Sequence, residues 1–548
     1  MADKVSAIVN KLRSRPDSRT FAMLFDDGDC PDCGSKQEQD LALCKMIASE
    51  TVDAELIEAV FKESGCYRKN VWTKNGYGES IIQQAITAAK ASKGIPSFIV
   101  QTVRKDKLVE KVSSPMLAQW VRDNVTYRIF RDDATQTMSV YLYENGVYSE
   151  IDSNLFKGII KEPVEKYNPL LVDMRYINEA YNLLITDRKY YQNRLLNANF
   201  NIINFKNGIL NLNTMTLVPH SPDYMSTIQI PSKWVDKESD TPVFDKYLDT
   251  LTNGDKELQK LLLQYMGVCL SNIPGYLLKK FLILYGEGNT GKSQLKRLLE
   301  MLLGSRNCCP IGLDKLESEF GPINLRYKRL AGSADMNYVS VKELSTLKSM
   351  TGSDSIFANR KGQTPISFVY TGLFWFCANR LPKFGGDDGP WVFARICPVY
   401  CGNVIPEAEQ DKLLLDKMYS EREGIIYKAV QALLEVIKNG YKLDEPQSVI
   451  DARAAYSKDN SIVSEFVNDC LEESGTIPAS ECSSVNEIYR IFTLWCKSNN
   501  NNHTLSKKDF KNGLARHFNT DEEKLYTRVS KGMIITGYTL SKAADYYT

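Results

Sequence analysis

The feature that most constrains the fold of this chain is a glycine-rich segment between a wholly apolar run and an amphipathic one. The segment GEGNTGKS (286–293) matches the pattern GxxxxGK[ST]. It directly follows FLILY (281–285), which is typical of a buried central strand, and it directly precedes the helical stretch QLKRLLEMLLG. A strand–loop–helix unit of this kind predicts an α/β domain built on a parallel sheet.

Each residue type in the segment has a physical task in binding phosphate. Glycines allow backbone N–H groups to surround an anion, and the helix that follows adds its positive N-terminal end. Lys292 supplies a mobile charge for the β- and γ-phosphates, and the Ser293 hydroxyl is suited to Mg²⁺. The alternative is an ordinary glycine-rich turn. The residues predicted to bind a nucleoside triphosphate are Gly286, Gly288, Asn289, Thr290, Gly291, Lys292 and Ser293.

Two further polar residues are candidates for the same site. Asp335 ends the modestly apolar stretch RLAGSAD and is the best candidate for a carboxylate that binds Mg²⁺. Asn379 ends the apolar run LFWFCAN, where its amide could orient a water against the terminal phosphate. Asp335 as a solvated turn residue and Asn379 as a strand-end cap are the alternatives.

Composition limits the class of protein. The chain has 548 residues, 43% of them hydrophobic and 25% charged, which predicts three or four globular domains. The net charge of only +1 excludes a uniformly basic surface, so any nucleic-acid site must be a local patch. Thirteen irregularly spaced cysteines indicate mostly reduced thiols, and no signal peptide or apolar run of membrane-spanning length occurs. We expect a cytoplasmic protein without a membrane partner.

Changes of hydrophobic pattern along the chain predict four domains. The segment 1–95 reads as a helical module, and 96–240 reads as an α+β domain that is strand-rich from Val125 to about Ile230. Residues 241–455 contain the glycine-rich segment and form the predicted ATPase domain. Residues 456–548 read as a small domain of helices with a final hairpin.

The motifs, taken in order, resemble those of a known family. GEGNTGKS, YKRLAGSAD, LKSMTGSDSIFANRKGQTPISF, LFWFCANRLP and WVFARI are similar to the motifs of superfamily 3 helicases, most closely the phage and plasmid primase–helicases related to the poxvirus helicase-primase. INFKNGILNLNTMTLVPHSPDY and FKESGCYRKNVW extend the resemblance upstream, so that it covers the chain from about residue 20 to its end.

The resemblance implies a central P-loop ATPase of AAA+-like fold that hydrolyses ATP with Mg²⁺ between the subunits of a hexameric ring. Lys292 and Ser293 would hold the triphosphate and Mg²⁺, Asp335 would be the Walker B acid, and Asn379 the sensor. Arg395 would be an arginine finger that reaches the γ-phosphate in a neighbouring subunit; the alternative is a structural salt bridge. Two departures are that Met336 and Asn337, rather than a second acid, follow Asp335, and that Ala394 precedes Arg395.

The expected DNA contacts lie in two regions. Lys348, Arg360 and Lys361 fall in the segment that forms the pore-facing hairpin of such helicases; a solvated surface hairpin is the alternative. Eight basic residues against four acids lie between Lys497 and Lys531, and the resemblance implies a C-terminal winged helix there. A solvated charged helix is the alternative. The residues of its predicted DNA-binding helix are Lys507, Lys508, Lys511 and Arg516.

The N-terminal segment is shorter than a primase-polymerase domain. Asp26, Asp27 and Asp29 have no histidine near them in sequence, so a polymerase site is not expected, and a separate primase or polymerase is the expected partner. Cys30 and Cys33 form a single CxxC that Cys44 and Cys66 could complete as a zinc site; the alternative is a polar loop with incidental cysteines.

The sequence therefore predicts an ATP-driven, ring-forming helicase that acts on single-stranded DNA in replication of a phage, plasmid or mobile element, in the bacterial host cytoplasm. The second hypothesis is an initiator that binds origin DNA and uses its ATPase as an assembly switch. A P-loop kinase or metabolic ATPase is a third.

Overall fold

A computed structural model describes residues 2–92, 94–104, 107–131, 138–192, 196–336, 340–341, 344–384, 390–499, 505–530 and 532–547. The chain divides into two compact units, each described by itself below. The first comprises Met1–Arg131, Met138–Tyr143 and Ser149–Asn193, and the second comprises Asp132–Thr137, Glu144–Tyr148 and Arg194–Thr548. Within the described ranges, no helix combines the length and the apolar character that crossing a membrane requires.

The first unit begins with a helical layer, as the sequence predicts. Its core is formed by apolar side chains such as Leu24, Ile47 and Phe61. The third helix starts at a capping box, in which Ser35 and Glu38 satisfy each other's backbone N–H groups. The helices are α1 (Ala2–Arg13), α2 (Ser18–Ala22), α3 (Lys36–Ala48), α4 (Ala54–Lys62), α5 (Lys69–Trp72) and α6 (Tyr77–Ser92).

An α+β layer follows in the first unit. A two-stranded hairpin precedes an antiparallel sheet of order β3-β4-β5. The turn before the last strand lies in the short segment 144–148 that is assigned to the second unit, and it uses Asn145 and Gly146 at φ 51° and 87°, as the Asn-Gly pair predicts. Two capped helices interrupt the stretch that reads as strand-rich. The elements are β1 (Ile99–Arg104), β2 (Lys107–Val112), α7 (Ser114–Asn124), β3 (Tyr127–Arg131), β4 (Met138–Glu144), β5 (Val147–Ile151), α8 (Ser153–Tyr167) and α9 (Met174–Ile185).

The second unit opens with a small antiparallel sheet and three helices. The predicted hairpin around Asn207-Gly208 is present, with Gly208 as the first residue of its second strand. The elements are β6 (Ile202–Phe205), β7 (Gly208–Asn211), β8 (Thr216–Val218), α10 (Pro242–Leu251), α11 (Lys256–Leu270) and α12 (Gly275–Leu278).

The centre of the second unit is a five-stranded, all-parallel sheet of order β10-β11-β15-β9-β17. The two strands that the apolar runs predict, β9 and β15, are adjacent. Alternate residues face two separate cores, as Leu282 and Ile283 do, so both faces of the sheet are covered. The strands are β9 (Phe281–Tyr285), β10 (Cys308–Pro310), β11 (Leu330–Gly332), β15 (Leu373–Ala378) and β17 (Ile396–Tyr400).

Helices and short strands surround this sheet. Among them, the strands β13 (Ser355–Arg360) and β14 (Gln363–Val369) form an antiparallel pair that follows helix α15 (Ser345–Gly352). The elements are α13 (Lys292–Leu303), α14 (Leu313–Leu316), β12 (Ser340–Val341), α15 (Ser345–Gly352), β13 (Ser355–Arg360), β14 (Gln363–Val369), β16 (Lys383–Phe384), α16 (Pro390–Arg395), α17 (Leu414–Ser420), α18 (Arg422–Lys438) and α19 (Gln447–Asp459).

The C-terminal part has its own core, centred on Phe466, Phe492 and Phe510. Helices and a terminal hairpin are present here as the sequence predicts, while most of the asparagine-rich loop (500–502) lies outside the described residues. The elements are α20 (Ile462–Cys470), β18 (Leu471–Glu473), α21 (Val485–Ser498), α22 (Lys507–His517), α23 (Glu522–Leu525), β19 (Tyr526–Val529), β20 (Gly532–Ile535) and β21 (Tyr538–Leu540). The division into four domains stays a prediction.

Candidate functional site

The glycine-rich loop joins the carboxyl end of β9 to the start of α13. Gly286, Asn289 and Gly291 have φ of 135°, 60° and 90°, and this left-handed backbone curls the loop above the end of the strand. A Cβ on Gly286 would lie 2.2 Å from the carbonyl oxygen of Cys401, the residue that follows β17. A Cβ on Gly288 would have no atom within 4 Å. Glycine is therefore required for packing at the first of these positions.

Lys292 lies inside the loop rather than in solvent. Its side chain is buried, with 6% of the residue exposed. Nζ donates hydrogen bonds to the carbonyl oxygen of Gly286 (2.8 Å), to that of Glu287 and to Oγ1 of Thr290 (3.0 Å). The ammonium group is thus held at the concave side of the loop, where an anion would replace the neutral carbonyls as its partner.

Two contacts from distant parts of the chain brace the loop. The buried Tyr247 hydroxyl donates to the carbonyl oxygen of Gly291 at 2.9 Å, and burial raises the pKa of this phenol well above its ordinary value, so it remains a donor. The backbone N–H of Ile405 donates to the carbonyl oxygen of Asn289, also at 2.9 Å. The sequence contains no signal for either contact, because both depend on long-range packing.

Ser293 contacts the backbone next to Asp335 at this edge of the sheet. Strand β11 ends at Gly332, and the chain bulges before Met336 pairs again with β15 through its N–H bond to Cys377 (2.8 Å). Asp335 is exposed in this bulge, which explains why its stretch is a poor strand. The Ser293 hydroxyl donates to the carbonyl oxygen of Ala334, the residue before Asp335. The residue after Met336, Asn337, lies outside the described residues.

Asn379 is exposed directly after β15, the strand that lies between β9 and β11. Since all three strands are parallel, Asn379 projects from the same edge as the glycine-rich loop and Asp335. It lines a cleft of about 550 Å³ together with Gly286, Glu287 and Tyr400. The sheet order thus places the predicted loop, acid and amide at the same edge of the sheet.

The donor atoms at this edge suit Mg²⁺. A serine hydroxyl and an aspartate carboxylate are hard oxygen ligands, and Mg²⁺ commonly binds one or two protein ligands together with phosphate oxygens and water. Among the residues that the structure describes, no group of three or more histidine, cysteine, aspartate or glutamate side chains is placed to hold a metal alone.

In the first unit, Cys30 and Cys33 have sulfurs 2.7 Å apart, and burial and Cys30 raise the pKa of the Cys33 thiol to about 11. The described neighbourhood does not complete the zinc site considered for them.

Arg395 is the predicted residue that does not join this edge. It ends α16, directly before β17, whose pairing with β9 runs from Ile396↔Phe281 to Tyr400↔Tyr285. Arg395 therefore lies at the amino end of the sheet and Gly286 beyond its carboxyl end. Six residue steps at about 3.3 Å each separate their levels by about 20 Å, farther than one arginine side chain can reach.

The half-buried Arg395 contacts the helix before the β13–β14 hairpin instead. Nη1 donates to the carbonyl oxygen of Lys348 at 2.8 Å and to the hydroxyl of Thr351, both on α15. Burial lowers the pKa of the guanidinium, while the nearby charge of Asp354 acts in the opposite direction. The hydrogen bonds give the side chain a fixed place in its own chain.

The segment that contains Lys348, Arg360 and Lys361 does form a hairpin. Arg360 is the last residue of β13, and Lys361 is exposed in the turn to β14. Lys348 is exposed on α15. The predicted hairpin is therefore present, and its role stays a prediction.

The four C-terminal basic residues differ in their surroundings. Lys507, Lys508 and Arg516 are exposed on α22, where Lys507 also contacts the Asn486 side chain. Lys511 forms an ion pair with Glu522 at 3.2 Å and lies 4.5 Å from the centre of the Tyr526 ring. Its charge is already matched within the fold.

Three family models match parts of the chain. A family of unknown function (DUF5906) matches residues 284–395, which contain the loop, Asp335, Asn379 and Arg395. A D5 N-terminal-like model matches 174–253, and a poxvirus D5 protein-like model matches 458–540.

Two viral proteins and one solved structure are among the similar proteins. "Putative helicase L207/L206" of Acanthamoeba polyphaga mimivirus is 23% identical over 402 residues, which are 68% of this chain and 39% of that protein. "Putative helicase 022R" of Frog virus 3 is 24% identical over 247 residues, which are 40% of this chain and 25% of that protein. The apo structure of the NrS-1 C-terminal region is 13% identical, covers 73% of this chain and 85% of that one, and has a TM-score of 0.44, which is too low to support a conclusion.

The central parallel sheet and the residues at its carboxyl edge define a mixed α/β protein with a phosphate-loop sequence. The matches to the two D5 models and to the helicase-named relatives support a relationship to the D5-type primase-helicase family. The chain spans well under half of the length of either viral relative.

Proposed function

We propose that this protein is an ATP-dependent, ring-forming DNA helicase that unwinds DNA for the replication of a phage, plasmid or other mobile element. The observation that carries the proposal is the position of Arg395, about 20 Å along the sheet from the loop of its own chain. An arginine there can assist ATP hydrolysis only in the loop of a neighbouring copy. The relationship to this family and the helicase names of the viral relatives support the role in replication.

ATP binds in the loop 286–293 in this proposal. Its phosphate oxygens accept hydrogen bonds from backbone N–H groups and from Nζ of Lys292, which exchanges loop carbonyls for phosphate. Ser293 and Asp335 are the ligands for Mg²⁺, which, when bound, neutralises charge on the β- and γ-phosphates. Asn379 orients the attacking water, and Arg395 of the neighbouring copy donates to the oxygens of the transferring phosphoryl group.

The contacts of Arg395 suggest how hydrolysis moves DNA. The side chain bonds to α15, and α15 leads directly into the β13–β14 hairpin. When Arg395 turns towards the phosphate of a neighbour, these bonds change, and the hairpin shifts with its helix. Lys348, Arg360 and Lys361 then contact phosphates of the single strand that passes through the ring.

The test of this function combines ATP turnover and mass. Turnover should rise when single-stranded DNA is added, and a non-hydrolysable ATP analogue should produce an assembly of several copies, with a hexamer expected. Lys292→Ala should abolish turnover in both conditions. A lack of both DNA stimulation and assembly would contradict the proposal and favour a P-loop kinase or metabolic ATPase.

An origin-binding initiator is the second candidate, and α22 favours it. This helix presents Lys507, Lys508 and Arg516 to solvent, and a β-hairpin (β19–β20) follows it, as in a winged helix. Lys361→Ala separates the two functions, because it should abolish unwinding and leave binding of double-stranded origin DNA intact. If unwinding survives, the role of the β13–β14 hairpin is wrong.

A further inference from the structure

We infer that Phe357 stacks on the bases of single-stranded nucleic acid, so that the β13–β14 hairpin grips the strand by its bases as well as by its phosphates. The inference rests on the proposed function and adds a binding residue that the motifs do not contain. It depends on the two-faced structure of the hairpin.

One face of the hairpin is buried and the other is open. Ile356, Ala358 and Ile366 are buried, and Ile356 is part of a core of the second unit. Phe357, between the first two, is 67% exposed. An aromatic ring that folding leaves largely in water contributes little to the stability of the core, and its face is accessible to a ligand.

The residues around Phe357 leave the ring accessible. Its cross-strand partner is Ser367, whose hydroxyl lies 2.8 Å from that of Ser355 on the same face. The side chains of Ser355 and Ser367 beside the ring are small and carry hydroxyl groups. A flat aromatic surface with small polar neighbours is the kind of platform on which bases stack without regard to sequence.

The charge on the hairpin fits a polyanion. Between Ser345 and Val369 the chain carries three cations, Lys348, Arg360 and Lys361, and one acid, Asp354. Asp354 lies at the foot of the hairpin, where its charge acts on Arg395. From outside the hairpin, Glu319 accepts a hydrogen bond from the Asn359 amide. The cations at the tip begin three residues from Phe357, a distance of about 10 Å along the strand, so one strand of a few nucleotides reaches both.

A protein partner fits this surface less well. A stable protein interface buries about 800 Å² on each side around a cluster of apolar anchors. The outer face of the hairpin presents one aromatic ring, hydroxyl groups and, at the strand end, the partly exposed Val369. The combination of one ring with nearby cations favours a polynucleotide.

The experiment compares two fluorescent oligonucleotides of equal length, oligo-dT and a strand of abasic residues, by anisotropy. Both carry the same phosphate charge, and only the first has bases. Wild-type protein should bind oligo-dT more tightly. Phe357→Ala should weaken oligo-dT binding by about 5- to 140-fold and leave abasic binding unchanged, and Phe357→Trp should restore the preference. Val369→Ala is the matched control on the same hairpin and should keep the wild-type ratio.

The outcomes separate the inference from the proposed function. Equal losses on both oligonucleotides would show that the ring acts structurally, and no loss on either would show that it does not stack. Either result overturns the inference while helicase function stands. A wild-type protein that binds neither strand would refute both. The thermal unfolding curve of Phe357→Ala should match that of wild type, because most of the ring is in solvent.

Discussion

Alanine at Gly286 should damage the protein, whereas alanine at Gly288, two residues away in the same loop, should not. At Gly286 the backbone has φ of 135°, and the new Cβ would lie 2.2 Å from the carbonyl oxygen of Cys401. That carbonyl cannot easily move, because the N–H of Cys401 is bonded to the carbonyl oxygen of Tyr285 at 2.8 Å. At Gly288 a Cβ enters open space.

The magnitude follows from two terms. Unfavourable φ costs about 1–3 kcal/mol, and overpacking against a fixed backbone costs about 1–3 kcal/mol. Gly286→Ala should therefore lower the free energy of unfolding by about 2–6 kcal/mol, which corresponds to about 4–24 °C in Tm for a domain of 150–250 residues.

Urea and thermal unfolding followed by circular dichroism measure the effect, with Gly288→Ala as the control. Nucleotide affinity, measured by calorimetry, should fall with stability in Gly286→Ala, because the clash displaces the loop from the end of β9. Equal unfolding free energies for Gly286→Ala and wild type would refute the account of how the loop is packed.

Three further predictions concern other parts of the second unit. Arg329 is 1% exposed and donates to four backbone carbonyls, two of them at the C-terminal end of α11. Arg329→Met should therefore lower the free energy of unfolding in urea by about 3–5 kcal/mol. The control Arg297→Met, at an exposed position on α13, should lower it by less than about 0.5 kcal/mol. Tyr247→Phe removes the donor to the loop and should weaken ATP-analogue binding about fivefold by calorimetry, at about 1 kcal/mol for one hydrogen bond; unchanged affinity would contradict the bracing role. Lys508→Ala should reduce the slope of log affinity for double-stranded DNA against log salt by about 1, and Lys511→Ala should reduce it less because Glu522 already matches that charge; the reverse order would contradict the assignment on α22.

Local pattern was enough to predict the two apolar strands at the centre of the parallel sheet. FLILY and LFWFCA are strands because continuous apolar runs suit a sheet that is covered on both faces. The helices predicted within 456–548 are also present. The hairpin between Ser355 and Val369 is present too, but the family resemblance, not local pattern, implied it. The strand and helix predictions depend on short-range sequence, which determines local structure.

Two helices in the first unit were not anticipated. Residues 153–167 and 174–185 lie within the stretch that reads as strand-rich, yet each forms a helix that begins at an aspartate cap, Asp152 or Asp173. The cap satisfies N–H groups at the helix start, and the apolar residues of each helix pack on one side. Frequent aromatic and branched residues nearby obscured this signal.

The arrangement at the candidate site could be predicted only in part. The motif identifies Lys292 and Ser293, but the proximity of Asp335 and Asn379 depends on the sheet order β11-β15-β9, which no local pattern encodes. The contacts of Tyr247 and of the buried Arg329 join segments far apart in sequence. The attachment of Arg395 to α15 is likewise visible only in three dimensions.

The central claim, that ATP is hydrolysed between copies, is tested most directly by mixing two inactive variants. Lys292→Ala has a defective phosphate loop and an intact Arg395, and Arg395→Ala has an intact loop and no arginine. Each variant alone should lose at least about 10³-fold in DNA-stimulated turnover. In an equal mixture, a site is complete when the loop of an Arg395→Ala copy lies beside the intact Arg395 of a Lys292→Ala neighbour. Turnover should therefore recover to as much as about a quarter of the wild-type rate if the sites act independently. A mixture that stays at the level of the separate variants, although mass measurement shows that it assembles, would contradict the claim.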